Sequence, residues 1–145
     1  MLVFPRTLSR RRTTKSCKRI AGYSKVNKNG WIGVDLDGTL AHYDQWQGID
    51  HVGKPVERMC NRVRLWLANG ETVKIMTARV SGHEGDALIK VCMPIWNFCY
   101  REFDQILDVT CVKDMHMISL WDDRAVEIVA NTGMTREEYT KYNAE

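Results

Sequence analysis

At 145 residues the chain offers one domain's worth of sequence, long enough to bury a core. Its 44% hydrophobic content is ordinary for a globular protein, and no apolar run approaches a membrane span, so no membrane role is expected. The formal charge of +3 hides a division: residues 1–34 carry nine Lys/Arg and no acid, while residues 35–145 carry twelve against eighteen Asp/Glu.

Residues 1–29 show no apolar periodicity, and their low hydrophobicity and high charge predict a basic, disordered N-terminal segment ahead of a domain over 30–145. A nucleic-acid-touching arm and an acid-poor, Arg-rich targeting peptide are the alternatives for that segment. Five cysteines (Cys17, Cys60, Cys92, Cys99 and Cys111) form an odd set without a C-x-x-C pair. They argue for a reducing compartment and against a disulfide scaffold or structural zinc. A cytoplasmic location is expected, with organelle targeting through the N-terminus as the alternative.

The turn signal "NKNG" precedes a continuous apolar strand, Trp31–Val34, of the kind covered on both faces in a parallel sheet. Pro55 suits the opening of a helix in which Val56, Met59, Cys60, Val63 and Leu67 share a face, and Gly70 stops it. Thr72–Met76 reads as a second strand ending at Thr77. Residues 84–103 read as a helix that Pro94 should kink or split. Ile106–Thr110, Met117–Trp121 and Ala125–Val129 read as three further strands, and Thr135 with Glu138 forms a capping box for a short last helix. Alternating strands and helices predict an α/β fold, a Rossmann-like three-layer sandwich around a mostly parallel five-stranded sheet.

In such sheets ligands bind beyond the carboxyl ends of the strands. Asp35 and Asp37 follow the first strand, Thr77 the second, and Asp122 and Asp123 the fourth, with Lys113 ahead of the fourth. Residues two apart on extended backbone point the same way, so Asp35 and Asp37 can address one ligand. Four crowded carboxylates repel unless a cation joins them, and oxygen-only donors select a hard ion, Mg²⁺ beside a phosphate. With a phosphate monoester bound, Asp35 suits in-line attack on phosphorus and Asp37 suits proton transfer to and from the oxygens. Thr77 and Lys113 suit holding the phosphoryl oxygens. His42, His51, His83 and His116 share no ligand spacing.

"DLDGTL" (Asp35–Leu40) resembles the first signature of the haloacid dehalogenase superfamily of phosphohydrolases. "VKIMTAR" is similar to the second signature, and "VKDMHMISLWDDR" resembles the third and fourth, in the family's order over residues 31 to about 130. The resemblance implies Asp35 as nucleophile and Asp37 as general acid/base. It also implies a Mg²⁺ ion held by the Asp35 carboxylate, the Asp37 backbone carbonyl and Asp122, with Asp123 in support. Within the family the chain resembles small phage and bacterial proteins and the 5′-deoxyribonucleotidase branch. No stretch has room for a separate cap domain, so the site should be open, with Tyr43, Trp46 and Arg79 as substrate-loop candidates. The expected activity is Mg²⁺-dependent hydrolysis of a phosphomonoester, on a nucleotide or a nucleic-acid end. Another small substrate such as a sugar phosphate, or a non-catalytic nucleic-acid-binding module, are the alternatives. Oligomeric state is not readable from the residues.

Overall fold

A computed structural model describes residues 29–144. The basic segment, with its three competing readings, lies outside the described residues apart from its junction at Asn29.

Among the described residues four strands and three α-helices follow in order: β1 (Trp31–Val34), α1 (Glu57–Ala68), β2 (Thr72–Met76), α2 (Gly85–Phe103), β3 (Asp108–Thr110), β4 (Met117–Trp121) and α3 (Arg136–Tyr142). The sheet is parallel throughout, in the order β3-β2-β1-β4. This is the α/β class that the alternating pattern predicts. The carboxyl ends of β1, β2 and β4 therefore lie side by side along one edge. Among the described residues, no helix is long and apolar enough to cross a membrane.

Both long helices stand on the same face. The connections from β1 to β2 and from β2 to β3 step the same way across the sheet, and right-handed crossovers then place α1 and α2 together. Ile32, Val34, Val73 and Ile75 point to that face and join Met59, Cys60, Val63 and Trp66 of α1 with Val91, Ile95, Phe98 and Cys99 of α2 in one core. Burial pushes the Cys60 and Cys99 thiols up to about 11, which leaves both as small apolar core groups.

The opposite face departs from the three-layer expectation. Residues 111–116 join β3 to β4, and six residues are too few to repay helix nucleation. They cross that face as an irregular strap, fixed where Trp31 Nε1 donates to Asp114 Oδ1 at 2.8 Å. The Lys74 ammonium lies 4.9 Å over the same indole. The described residues thus form two layers and a strap.

The expected fifth strand is also absent from the sheet. Three residues separate the end of β4 from Ala125, whereas a parallel return to the other edge needs a dozen or more. Ala125–Val129 instead makes an isolated antiparallel bridge, Ile128 to Thr135, at the foot of α3. Thr135 and Glu138 form the expected capping box there.

Pro94 neither splits nor ends α2. The carbonyl deprived of a partner by the proline belongs to Lys90, at an exposed position where solvent can meet it. Pro55 sits ahead of α1 rather than inside it. It bridges Ala41, and the Val56 N–H donates to Leu40 O at 2.9 Å, which sets the entry angle of the helix.

Candidate active site

The first carboxylate is delivered by strand pairing. The Asp35 N–H donates to Trp121 O at 2.9 Å, so the β1–β4 ladder runs one residue past β1 and brings Asp35 level with the end of β4. Beyond it the chain folds into a tight turn, with Leu36 O accepting from the N–H groups of Leu40 and Ala41. Gly38 adopts φ +93°, and a Cβ there would lie 2.7 Å from Asp123 Oδ2. The glycine of "DLDGTL" is thus required twice, by its backbone angle and by the carboxylate pressed against it.

Thr39 locks the two strand ends together. Its hydroxyl lies 3.2 Å from Asp35 Oδ2 and 3.3 Å from Asp123 Oδ1, and it accepts from the Asp123 N–H at 3.0 Å. One hydroxyl proton serves one carboxylate at a time. The sequence reading passed over Thr39, although the residue stands inside the quoted motif.

One carboxylate oxygen from each of Asp35, Asp122 and Asp123 lies within 4.8 Å of the other two. The sequence reading gave Asp123 a supporting place; the geometry makes it an equal member of the cluster. Asp37 goes elsewhere. Both of its oxygens accept from Arg79, Nε to Oδ2 and Nη2 to Oδ1, each at 2.7 Å. Asp35 and Asp37 thus share the cleft but have different partners.

The pKa of Asp35 is raised to about 7, first by burial and then by the charges of Asp122 and Asp123, against a lowering contribution from the Thr39 hydroxyl. In the absence of bound cations, the folded chain keeps a proton on Asp35 that the unfolded chain releases near pH 4. The stability tied to that proton is complete below pH 4 and is lost as pH rises through about 7. The melting temperature in chelator is therefore expected to fall from pH 5 to pH 8, and to fall less in Asp35→Asn. Equal falls in both proteins would remove Asp35 as the group responsible.

Thr77 follows β2 and is 4% exposed. Its N–H donates to Thr110 O at 2.9 Å, and its hydroxyl accepts from the Arg79 N–H at 3.3 Å, capping the short 3₁₀ turn Ala78–Val80. With Asp35, Asp37, Asp122 and Asp123 it lines an open cleft of about 710 Å³ at the carboxyl edge. Tyr43, Trp46 and Arg79, the three substrate-loop candidates, line it too, as do His83, Cys111 and Arg124.

Lys113 is not among the residues that line this cleft. Its neighbour Asp114 is tied to Trp31, the first residue of β1, whereas Asp35 follows the last. The positive groups lining the cleft are instead Arg79 and Arg124, the latter with its N–H on Asp122 Oδ1 at 2.7 Å.

The loop over residues 42–53 is closed at its base by the His42 N–H on Lys54 O, 2.8 Å. Gly53 packs so closely there that a Cβ would stand 1.9 Å from His42 O. At its tip Trp46 is 54% exposed beside the cleft. Comparison with family models, curated proteins and solved structures gives no match for the chain.

Proposed function

We propose that the chain is a phosphomonoester hydrolase of the haloacid dehalogenase type, acting through an aspartyl-phosphate on Asp35. The observation that carries this reading is the separation of duties at one sheet edge. Asp35, Asp122 and Asp123 converge on a common point, while Asp37 stands apart on its own guanidinium. The adjacency of β1 and β4 supports it, since the resemblance calls for the first and last signatures on neighbouring strands.

The donor set fits a hard dication: three carboxylates within mutual reach, with no sulfur or imidazole among them. Asp35, Asp122, Asp123 and the Asp37 carbonyl would hold Mg²⁺, which when bound offsets the charge of the carboxylates and the phosphoryl group.

In the first half-reaction an Asp35 oxygen attacks phosphorus as the bond from phosphorus to the leaving oxygen breaks, and Asp37 gives that oxygen a proton. In the second, Asp37 takes a proton from water. The water oxygen bonds to phosphorus, the Asp35–phosphorus bond breaks, and inorganic phosphate leaves. Thr77 would hydrogen-bond a phosphoryl oxygen, and Arg124 would supply positive charge at the rim.

Nucleotides or nucleic-acid ends are the substrates that best match the lip of the cleft. Tyr43 and Trp46 line it beside the carboxylates, and aromatic rings at such a place stack on bases. Hydrolysis of p-nitrophenyl phosphate with Mg²⁺ and with chelator tests the activity. A panel of mononucleotides, 3′- and 5′-phosphorylated oligonucleotides and sugar phosphates tests the class. Turnover that needs the metal, strongest on a nucleotide or oligonucleotide, is expected; no turnover of any phosphate would overturn the reading, and a preference for sugar phosphates would overturn its substrate class.

Deletion of residues 1–28 is expected to leave the melting temperature and the p-nitrophenyl phosphate rate unchanged, because β1 begins at Trp31. A nine-charge basic stretch that touches nucleic acid would show itself in KM for phosphorylated oligonucleotides and in the salt dependence of binding. An insoluble truncation would show that the segment is needed to complete the domain.

A further inference from the structure

Arg79 has more partners than any other cationic side chain at the cleft, and they belong to two different parts of the chain. Two of its nitrogens hold Asp37. The same guanidinium reaches the 42–53 loop, with Nη1 donating to Ile49 O at 3.2 Å and Nη2 donating to His51 O at 2.8 Å. Its carbon lies 4.9 Å over the Trp46 ring. The side chain is only 5% exposed, although it lines an open cleft.

These are the geometric demands of a guanidinium and not of charge alone. A bidentate carboxylate takes one edge of the fork, two carbonyls take two of the three remaining N–H groups, and the flat face is left for an indole. A lysine at this position offers one nitrogen and no plane.

We propose that Arg79 is a positioning residue: it fixes the Asp37 carboxylate and seats the 42–53 loop with one side chain, so that neither is placed without the other. The inference rests on the proposed role of Asp37 in proton transfer, but the seating of the loop does not depend on it. The consequence for mechanism is that Asp37 cannot turn away from the cleft while the loop is down. An error of about 1 Å in such a group is enough to lower a rate ~100-fold.

A double-mutant cycle separates positioning from general support of the fold. Arg79→Gln is expected to lower kcat at least ~10-fold on p-nitrophenyl phosphate with little change in KM. The same substitution made in Asp37→Asn should cost less than about twofold more, because there is no longer a proton-transfer group to misplace. Arg79→Lys should fail to rescue the rate, with folding of each variant checked by its melting temperature. A loss in the Asp37→Asn background as large as in the parent, or full rescue by lysine, would overturn the positioning role.

Hydrogen exchange of the amides in residues 43–52, measured without substrate, tests the seating. It should quicken at least ~10-fold in Arg79→Gln, since two carbonyl anchors are lost; unchanged exchange would overturn it. Were the parent protein to hydrolyse no phosphate at all, the proposed activity would fall. The exchange measurement would still decide whether Arg79 holds the loop.

Discussion

Asp35→Asn is expected to abolish phosphomonoester turnover, by at least ~10³-fold, while the protein keeps or gains stability. The amide keeps the shape of the carboxylate and can still meet the Thr39 hydroxyl and the Trp121 ladder contact, so the fold has no reason to change. What it lacks is the anionic oxygen that attacks phosphorus. It also removes an acid whose burial, close to Asp122 and Asp123, makes ionisation unfavourable, with the pKa up at about 7. A neutral group at that place relieves the repulsion. Loss of activity with a steady or higher melting temperature therefore points to chemistry, whereas loss of both would point to a structural carboxylate. Retention of more than a tenth of the parental rate would exclude Asp35 as the nucleophile.

The parts of this fold that could be read in advance are those where a local rule has no competitor. The Trp31–Val34 run is apolar at every position and is buried at every position. Its next residues, Asp35 and Asp37, had to face a crevice because buried carboxylates without partners are so costly. Two features escaped because they depend on chain length between elements rather than on the elements. Ala125–Val129 has the composition of a strand, but the three residues after β4 cannot carry it back to the amino edge. The six residues after β3 are too few to repay helix nucleation, so the second face is crossed by a strap, with Asp114 tied to Trp31. Arg79 was legible as a neighbour of the site, but its role was not. The partners that define it, Ile49 O and His51 O, are backbone atoms of a loop whose path no periodicity encodes.

The metal provides the other large effect. Excess chelator is expected to stop hydrolysis and Mg²⁺ to restore it, with Ca²⁺ a poor substitute because it takes more ligands at longer distances and loosens the in-line arrangement. Asp122 is the residue to vary, since it does not share the nucleophile's role. Its carboxylate belongs to the cluster with Asp35 and Asp123, and the hydrogen bond it accepts from the Arg124 N–H is local. Asp122→Ala should therefore fold normally and raise the Mg²⁺ concentration for half-maximal rate ~10-fold or more, a cost of the size seen when a group holding a metal site is removed. Mg²⁺ binding followed by calorimetry, with no substrate present, should weaken in step. Removal of Asp122 also takes away one of the charges that raise Asp35, so the melting temperature in chelator should depend less on pH than in the parent. Full activity in chelator would refute metal dependence altogether, and an unchanged Mg²⁺ titration in Asp122→Ala would take that residue out of the site.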